Sequence, residues 1–572
     1  MLSLLILLTV ALPLVWAWQR PPQPAFVSQA LSCGLWAVVV LIAALHSGNS
    51  GRQLTLPGAA ASLVWALLLA TLLAHALLGV TPWFLAAPIA VNLSLAALLS
   101  WVVLFRLDDH TLARAWSWLL AGLLIAALLN ALVALVQTAA PAWADDRLIA
   151  SLAGPHERAG GNLRQPNQLA TLMVWGLVAA TSLLRRWPLL WFSACATLTL
   201  AVLASGSRAG IISLVAVAMI GAFVWLRSRH RHDANGRSNG KWHRQPWLAG
   251  VLVILLLALL GWAAQHAFSR DTADASLAQR LALWQQTLGL IMQHPWAGVG
   301  WAQLNFVWTL TPFADRAPDV FDHAHSLPLH LAVELGIPVT VAAATLVIVA
   351  LWPARVQRAM SANAGQARIG VAALLLLSIG THSLFEYPLW FSYFLMPTAF
   401  VLATLARDLA ATPPAPAAST TNTAPAARLT SARLIASMAT LLLIATGWGA
   451  HEYSKASAIH FTGNDQGARA DAVAAARASP LYGQYGDYAA IMLAGDRAPL
   501  EWFARPIRNV LDERLLTAWA RALQRAGEHE RAAWVIARAR EFPPDAAFAG
   551  LPQVTAPLNP ASAPRSAADF RR

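Results

Sequence analysis

Between Phe321 and Pro338 the sequence reads FDHAHSLPLHLAVELGIP, with His323, His325 and His330 standing close together ahead of an apolar run. A buried membrane helix has no structural use for three imidazoles so near one another, so the stretch points to a site at the edge of a bilayer. At the start of a helix, the imidazole of His325 could take a proton from an attacking hydroxyl, because histidine's ordinary pKa of about 6.5 lies near working pH. His330 and Glu334 are four residues apart and read equally well as a polar pair facing neighbouring helices. Asp322, His323 and His325 are also metal-ligand types. No HExxH motif, fourth ligand or carboxylate cluster stands near them, so no metal is expected.

Three more polar stretches interrupt apolar runs. GPHERAGGNLRQPNQLA, Gly154 to Ala170, ends in Gln165, Pro166 and Asn167, where proline suits a first helical position and asparagine can satisfy free helix amides. Gln165 would then be free to point into a cleft, and Arg164 beside it is a second candidate ligand-binding group. In GSRAG, Gly206 to Gly210, Arg208 either snorkels to lipid headgroups or, with small neighbours on both sides, lets a phosphate reach the guanidinium and nearby amides. Arginine suits bidentate contact with a pyrophosphate. THSLFEYPLWFSYF, Thr381 to Phe394, places His382, Glu386 and Tyr387 in an apolar setting, which is costly unless they pair or line a wet cavity. No P-loop, GxGxxG turn or DxD triplet is present, so a nucleotide donor is not expected.

The elements that must position these groups are membrane helices. The chain has 572 residues, 58% of them hydrophobic and only 12% charged, and a mean hydropathy of +0.53. That balance excludes a water-soluble globule and makes the fold class all-α, a polytopic helical bundle. The net charge of +13 would suggest nucleic acid in a soluble protein. Here the basic residues fall in short loops and read as topology signals, so no nucleic-acid partner is expected. Cys33 and Cys195 both lie inside apolar segments, which leaves no disulfide framework. Trp16, Trp18, Trp83, Trp116, Trp118, Trp187 and Trp247 sit at the ends of apolar runs, as interfacial indoles do. The first apolar run lacks a basic start and a clear cleavage site and reads as a span.

Apolar runs of spanning length fall at roughly 2–18, 30–45, 60–79, 83–105, 112–138, 167–184, 187–204, 209–226, 247–264, 327–352, 369–384, 388–406 and 432–450, about thirteen in all. Taking the loop with Arg227, Arg229, Arg231, Arg237, Lys241 and Arg244 as cytoplasmic puts all four polar stretches on the outer face. They are expected to meet there in one pocket. Residues 1–138 form the N-terminal spans, 139–410 a membrane core with outer loops, 411–431 a Pro/Ala/Thr-rich linker and 432–450 the last span. Residues 451–550 turn Ala/Arg-rich and amphipathic, an outer helical domain with the spacing of one tetratricopeptide-like pair, and 551–572 read as a disordered tail.

Taken together, GGNLRQPNQLA, GSRAG, HPWAGVGW (His294 to Trp301), AHSLPLHLAVELGIP and HSLFEYPLWF resemble the bacterial O-antigen ligase/polymerase superfamily, most closely its PglL-type protein O-oligosaccharyltransferases. The resemblance covers roughly residues 150–400. It implies a multi-pass protein of the bacterial inner membrane whose active site and C-terminal domain face the periplasm, working without cofactor. It implies transfer of a preassembled glycan from undecaprenyl pyrophosphate to the Ser/Thr hydroxyls of an acceptor protein such as a pilin. His325 matches the family's loop histidine and would act as base or position the acceptor, while Arg208 would bind the leaving pyrophosphate. Gln165 and Tyr387 would orient the donor, with Asn167, Arg164, His382 and Glu386 as further substrate-binding candidates. Where the family often has asparagine after the histidine, this chain has Ser326, whose hydroxyl could cap the helix. Within the same chemistry the acceptor could instead be lipid A core or a growing glycan. A transporter would also break its helices with polar residues, but the hydropathy pattern carries no inverted repeat.

Overall fold

The computed structural model describes residues 2–46, 54–152, 154, 157–234, 261, 270–352, 366–410, 425–542, 551 and 558–563. They form helices joined by turns, with no strand among the described residues. In chain order the helices are α1 (Leu2–Val15), α2 (Phe26–His46), α3 (Leu56–Leu77), α4 (Trp83–Phe105), α5 (Asp109–Ala139), α6 (Pro166–Leu183), α7 (Pro188–Ala204), α8 (Arg208–Ala234), α9 (Arg270–Gln293) and α10 (Leu304–Leu310). There follow α11 (Leu327–Leu335), α12 (Ile337–Leu351), α13 (Gln366–Ser383), α14 (Ser392–Leu409), α15 (Pro425–Ala458), α16 (Gln466–Arg477), α17 (Gly483–Ala494), α18 (Pro506–Asn509), α19 (Glu513–Arg525) and α20 (His529–Ala539).

Five helices among the described residues are long and apolar enough to cross a bilayer: α2, α3, α4, α5 and the stretch Thr430–Phe461 that begins within α15. At 1.5 Å rise per residue, about 20 residues cover the ~30 Å hydrocarbon layer. Shorter apolar helices are α1, α7, α12 and parts of α8 and α13. The run expected at 247–264 and most of the 411–431 linker lie outside the described residues. Two expected boundaries change. The run 327–352 is broken at Gly336 into α11 and α12. Helix α8 continues through Arg227, Arg229 and Arg231 to Ala234, because nothing before the Asn235-Gly236 pair stops a helix. Trp18, Trp83, Trp118 and Trp187 are exposed, but Trp116 is buried.

The chain divides into two compact units. The first comprises residues 1–66, 94–270 and 345–446 and is organised around α6, which contacts α5, α7, α8 and α13. Every residue from Asn167 to Ala180 is buried, the mark of an interior helix with apolar character all round. Small residues let its neighbours approach: a Cβ added to Gly176 would overlap Ala127 of α5, and one added to Gly210 of α8 would overlap Ala170. At the other end of the unit, Arg407 is buried and donates from its two terminal nitrogens to the carbonyls of Val103 and Leu107 and to Asp109, which offsets the cost of burying its charge.

The second unit comprises residues 67–93, 271–344 and 447–572. Its core gathers Leu283, Leu290, Phe306 and Trp308 with Phe503, Leu515, Trp519, Val535 and Ile536. The C-terminal helices, expected as a domain over 451–550, thus share one apolar core with the loop region before α11. Buried Arg316 ties the two parts: it pairs with Glu541 at 2.8 Å and lies over the rings of Trp308 and Phe542 at 4.7 and 4.9 Å. Desolvation draws the Arg316 pKa down and Glu541 opposes that pull. Asp512 caps α19 by accepting from the Leu515 amide at 2.8 Å.

Candidate active site

In the first unit the polar residues of three distant stretches meet at the N-terminal end of α6. Pro166 takes the first helical position and Gln165 is the cap, its Oε1 accepting from the Gln168 amide at 2.7 Å. This reverses the expected division of labour, in which Asn167 caps and Gln165 faces a cleft. Asn167 lies one position past the proline, and its side chain is turned inward among the neighbouring helices. There its Nδ2 donates to Glu386 Oε1 at 2.9 Å and its Oδ1 accepts from Ser207 Oγ at 2.7 Å. All three residues are buried, so each polar atom needs such a partner.

The string ends at a helix start. Ser207 Oγ also accepts from the Gly210 amide at 3.0 Å, the geometry of a serine cap on α8, and the Ser207 amide donates to Ser205 Oγ at 3.2 Å. Arg208 follows at the first position of α8, exposed and without an ion pair among the described residues. An exposed guanidinium on a capped helix N-terminus is a favourable setting for an anion. Its backbone is fixed from below by the buried Glu386–Asn167–Ser207 string.

One turn along α6, Thr171 Oγ1 lies 2.7 Å from Nδ1 of buried His382. Gln168 accepts from the Tyr393 hydroxyl at 2.9 Å. Tyr387, half-buried, begins the short 3-10 turn Pro388–Trp390 and stacks with Phe391 at 6.2 Å between centroids. Arg164 takes a left-handed conformation (φ 55°) and pairs with Asp146 at 2.7 Å. Of the sequence candidates, the structure therefore joins Asn167 to Glu386 directly, sets His382 against the next turn of α6 and ties Arg208 in through Ser207, while Gln165 and Tyr387 adjoin these residues in the chain. Arg164 is held at the loop side of the same helix start. Ser207, Thr171 and Gln168 were not singled out from sequence, although a serine three residues before Gly210 is a helix-start signal.

Replacing Asn167 by alanine removes two buried hydrogen bonds, of order 1 kcal/mol each. It should lower the thermal unfolding midpoint and, by loosening the α8 start, reduce activity at normal protein level. Unchanged activity in the folded variant would show that the string does not position Arg208.

His325 belongs to the second unit and is held by its neighbours. It adopts a left-handed conformation (φ 47°), a region that histidine, asparagine and aspartate tolerate better than most residues. Its ring packs edge-on against Phe321 at 5.8 Å. The Ala324 carbonyl accepts from Trp284 Nε1 at 3.0 Å, and the Phe321 carbonyl from Asn305 Nδ2 at 3.0 Å. Ser326 precedes α11 but its side chain makes no cap bond. The hydroxyl cap expected there is absent: Ser326 has the extended backbone of a cap and gives its carbonyl to His330 N at 2.8 Å, but Pro328 at the second helical position has no amide to donate to the hydroxyl. Desolvation pushes the Asp322 carboxyl up, but His323 and His325 outweigh it and hold it below the usual carboxylate range.

HPWAGVGW wraps the end of α11. Val299 and Gly300 donate to the carbonyls of Val333 and Glu334, and Ile337 donates to that of Pro295. Buried Glu334 accepts from the amides of Ala302 (2.8 Å) and Leu304 (3.2 Å) and lies 3.3 Å from His330 Nε2. The His330–Glu334 pair is thus a clamp on this loop. Gly298 (φ 69°) leaves no space for a side chain, since a Cβ would overlap the Glu334 backbone. Gly298→Ala combines that overlap with a left-handed penalty of about 1–2 kcal/mol. It should produce a marked fall in unfolding temperature; an unchanged midpoint would contradict the clamp. Among the described residues no cluster of His, Cys, Asp and Glu could hold a metal ion.

These segments coincide with regions of known families. Residues 159–184 match the protein glycosylation ligase family, residues 193–344 the O-antigen ligase family, and residues 371–555 the C-terminal region of the virulence factor membrane-bound polymerase family. These three matches, over separate stretches, make the chain similar to the O-antigen ligase superfamily and to its protein glycosylation ligases. The general O-oligosaccharyltransferase of Acinetobacter baylyi is 25% identical over 261 residues, an alignment that spans 42% of this chain and 42% of that relative. Arg164, Gln165 and Asn167 fall in the glycosylation-ligase match, Arg208 and His325 in the O-antigen-ligase match, and His382, Glu386 and Tyr387 in the polymerase match.

Proposed function

We propose that this protein transfers a preassembled oligosaccharide from undecaprenyl pyrophosphate to Ser/Thr hydroxyls of periplasmic proteins, pilins among them. The reaction takes place at the periplasmic face of the bacterial inner membrane. The observation that carries this reading is Arg208, exposed at the capped start of α8 and anchored through Ser207 and Asn167 to Glu386. Such a group suits a pyrophosphate that gains charge as it departs. The acceptor hydroxyl oxygen attacks the anomeric carbon of the first sugar, the bond from that carbon to the pyrophosphate oxygen breaks, and His325 takes the hydroxyl proton. Pyrophosphate is already a good leaving group, so positioning supplies much of the rate. Tyr387 orients the donor, while Gln165 at the α6 cap, Asn167, Glu386 and His382 position the helix starts around it.

The O-antigen ligase match over residues 193–344 favours one second reading, in which the acceptor is lipid A core or a growing glycan. Deleting the gene distinguishes them. Loss of glycan from periplasmic proteins with intact lipopolysaccharide supports protein glycosylation. Loss or shortening of the lipopolysaccharide glycan with unchanged proteins would replace it by ligase or polymerase activity.

A further inference from the structure

The first unit holds a cavity of about 630 Å³ beside the start of α6, with Asp146, Leu152, Glu157, Arg158, Arg164 and Pro166 among its walls. That volume falls in the range of ligand cavities, about 300–1,000 Å³. The walls are loop segments, but buried amides hold them in shape. Gln137 Nε2 donates to the carbonyls of Ala150 and Gly161, and its Oε1 accepts from the amides of Gly160 and Gly161. Asn162 donates to the carbonyls of Val15 and Leu148 and accepts from the Ala150 amide. These polar residues are costly in an apolar bundle unless satisfied, and their full use here makes a pre-formed wall.

The wall is joined to the Arg208 turn. Arg158 donates from Nη1 to the Gly206 carbonyl at 3.3 Å, two residues before Arg208. The lining charges oppose one another: Asp146 is paired with Arg164 at 2.7 Å, and Glu157 stands beside Arg158. Such a lining does not select a charged ligand. It offers a carboxylate acceptor and guanidinium donors for hydroxyl and amide groups, with Leu152 and Pro166 as an apolar patch.

We infer that this cavity receives the lipid-proximal sugars of the donor, an uncharged saccharide bearing hydroxyl and N-acyl groups. The inference rests on the donor reading above: a pyrophosphate at Arg208 puts its attached sugar next to the wall that Arg158 shares with that turn. Asp146, Glu157, Arg158 and Arg164 are then specificity-determining residues toward the glycan.

The test uses the purified full chain, an undecaprenyl-pyrophosphate-linked neutral oligosaccharide and a serine-containing acceptor peptide, with KM measured separately for each substrate. Leu152→Trp fills the cavity, and Glu157→Gln removes one exposed carboxylate that makes no ion pair among the described residues. Leu152→Trp is expected to raise the donor KM about tenfold or more, ~1.4 kcal/mol, and Glu157→Gln several-fold, with the acceptor KM unchanged. Glu157→Gln carries the test if the tryptophan variant fails to fold. A donor KM unchanged in the folded variants, or a rise confined to the acceptor KM, overturns the saccharide site while the wild type still transfers. A wild type that transfers nothing from this donor overturns the donor reading itself.

Discussion

Replacing His325 by alanine should lower glycan transfer by about 10²–10⁴-fold, the range associated with losing a positioned acid–base group, at normal protein level. The side chain is held by the edge-on contact with Phe321, and the carbonyls of Phe321 and Ala324 are both pinned. Its backbone is left-handed, which gives a control that separates chemistry from folding. Asparagine accepts that conformation readily but cannot serve as a base. His325→Asn should therefore match the wild type in thermal unfolding and remain inactive. A folded His325→Asn protein with wild-type turnover would remove His325 from the mechanism.

Arg208→Lys should be nearly as damaging as Arg208→Ala, each costing about 10²–10³ in kcat, the size of effect seen when a donor to developing charge is deleted. A single ammonium cannot reproduce a planar fork of donors toward a pyrophosphate. Because Arg208 is exposed and the α8 cap is built by Ser207 and Gly210, neither variant should change the unfolding midpoint. Retained kcat in Arg208→Lys would mean that a point charge suffices. Retained kcat in Arg208→Ala would assign the residue to headgroup snorkelling instead.

What could be read from the residues themselves was local. The proline at the first position of α6, the glycine-flanked turn before Arg208 and the apolar runs each follow from short-range chemistry. The partners were not legible in the same way. Asn167 and Glu386 are 219 residues apart, and Asn167 and Ser207 are 40 apart, so capping was the nearest available role for Asn167 until its position inside the bundle was known. Glu334 likewise looked like half of a helix-face pair, whereas its carboxylate grips the amides of Ala302 and Leu304. The break at Gly336 was hidden because the flanking residues are apolar on both sides. A close approach to the Trp296 carbonyl and a φ of 84° leave no trace in hydropathy. The shared core of Trp308 and Trp519 joins residues that only tertiary packing relates.

The proposed function turns on the handing of a lipid-pyrophosphate glycan to a protein hydroxyl. Its most direct measurement is a reaction of purified protein with an undecaprenyl-pyrophosphate-linked oligosaccharide and a purified pilin, read by mass spectrometry of the acceptor and by release of the lipid pyrophosphate. The expected products are intact glycan on serine or threonine and one lipid pyrophosphate released per glycan transferred, with neither formed by His325→Ala. An unmodified pilin alongside glycosylated lipid A core would contradict it.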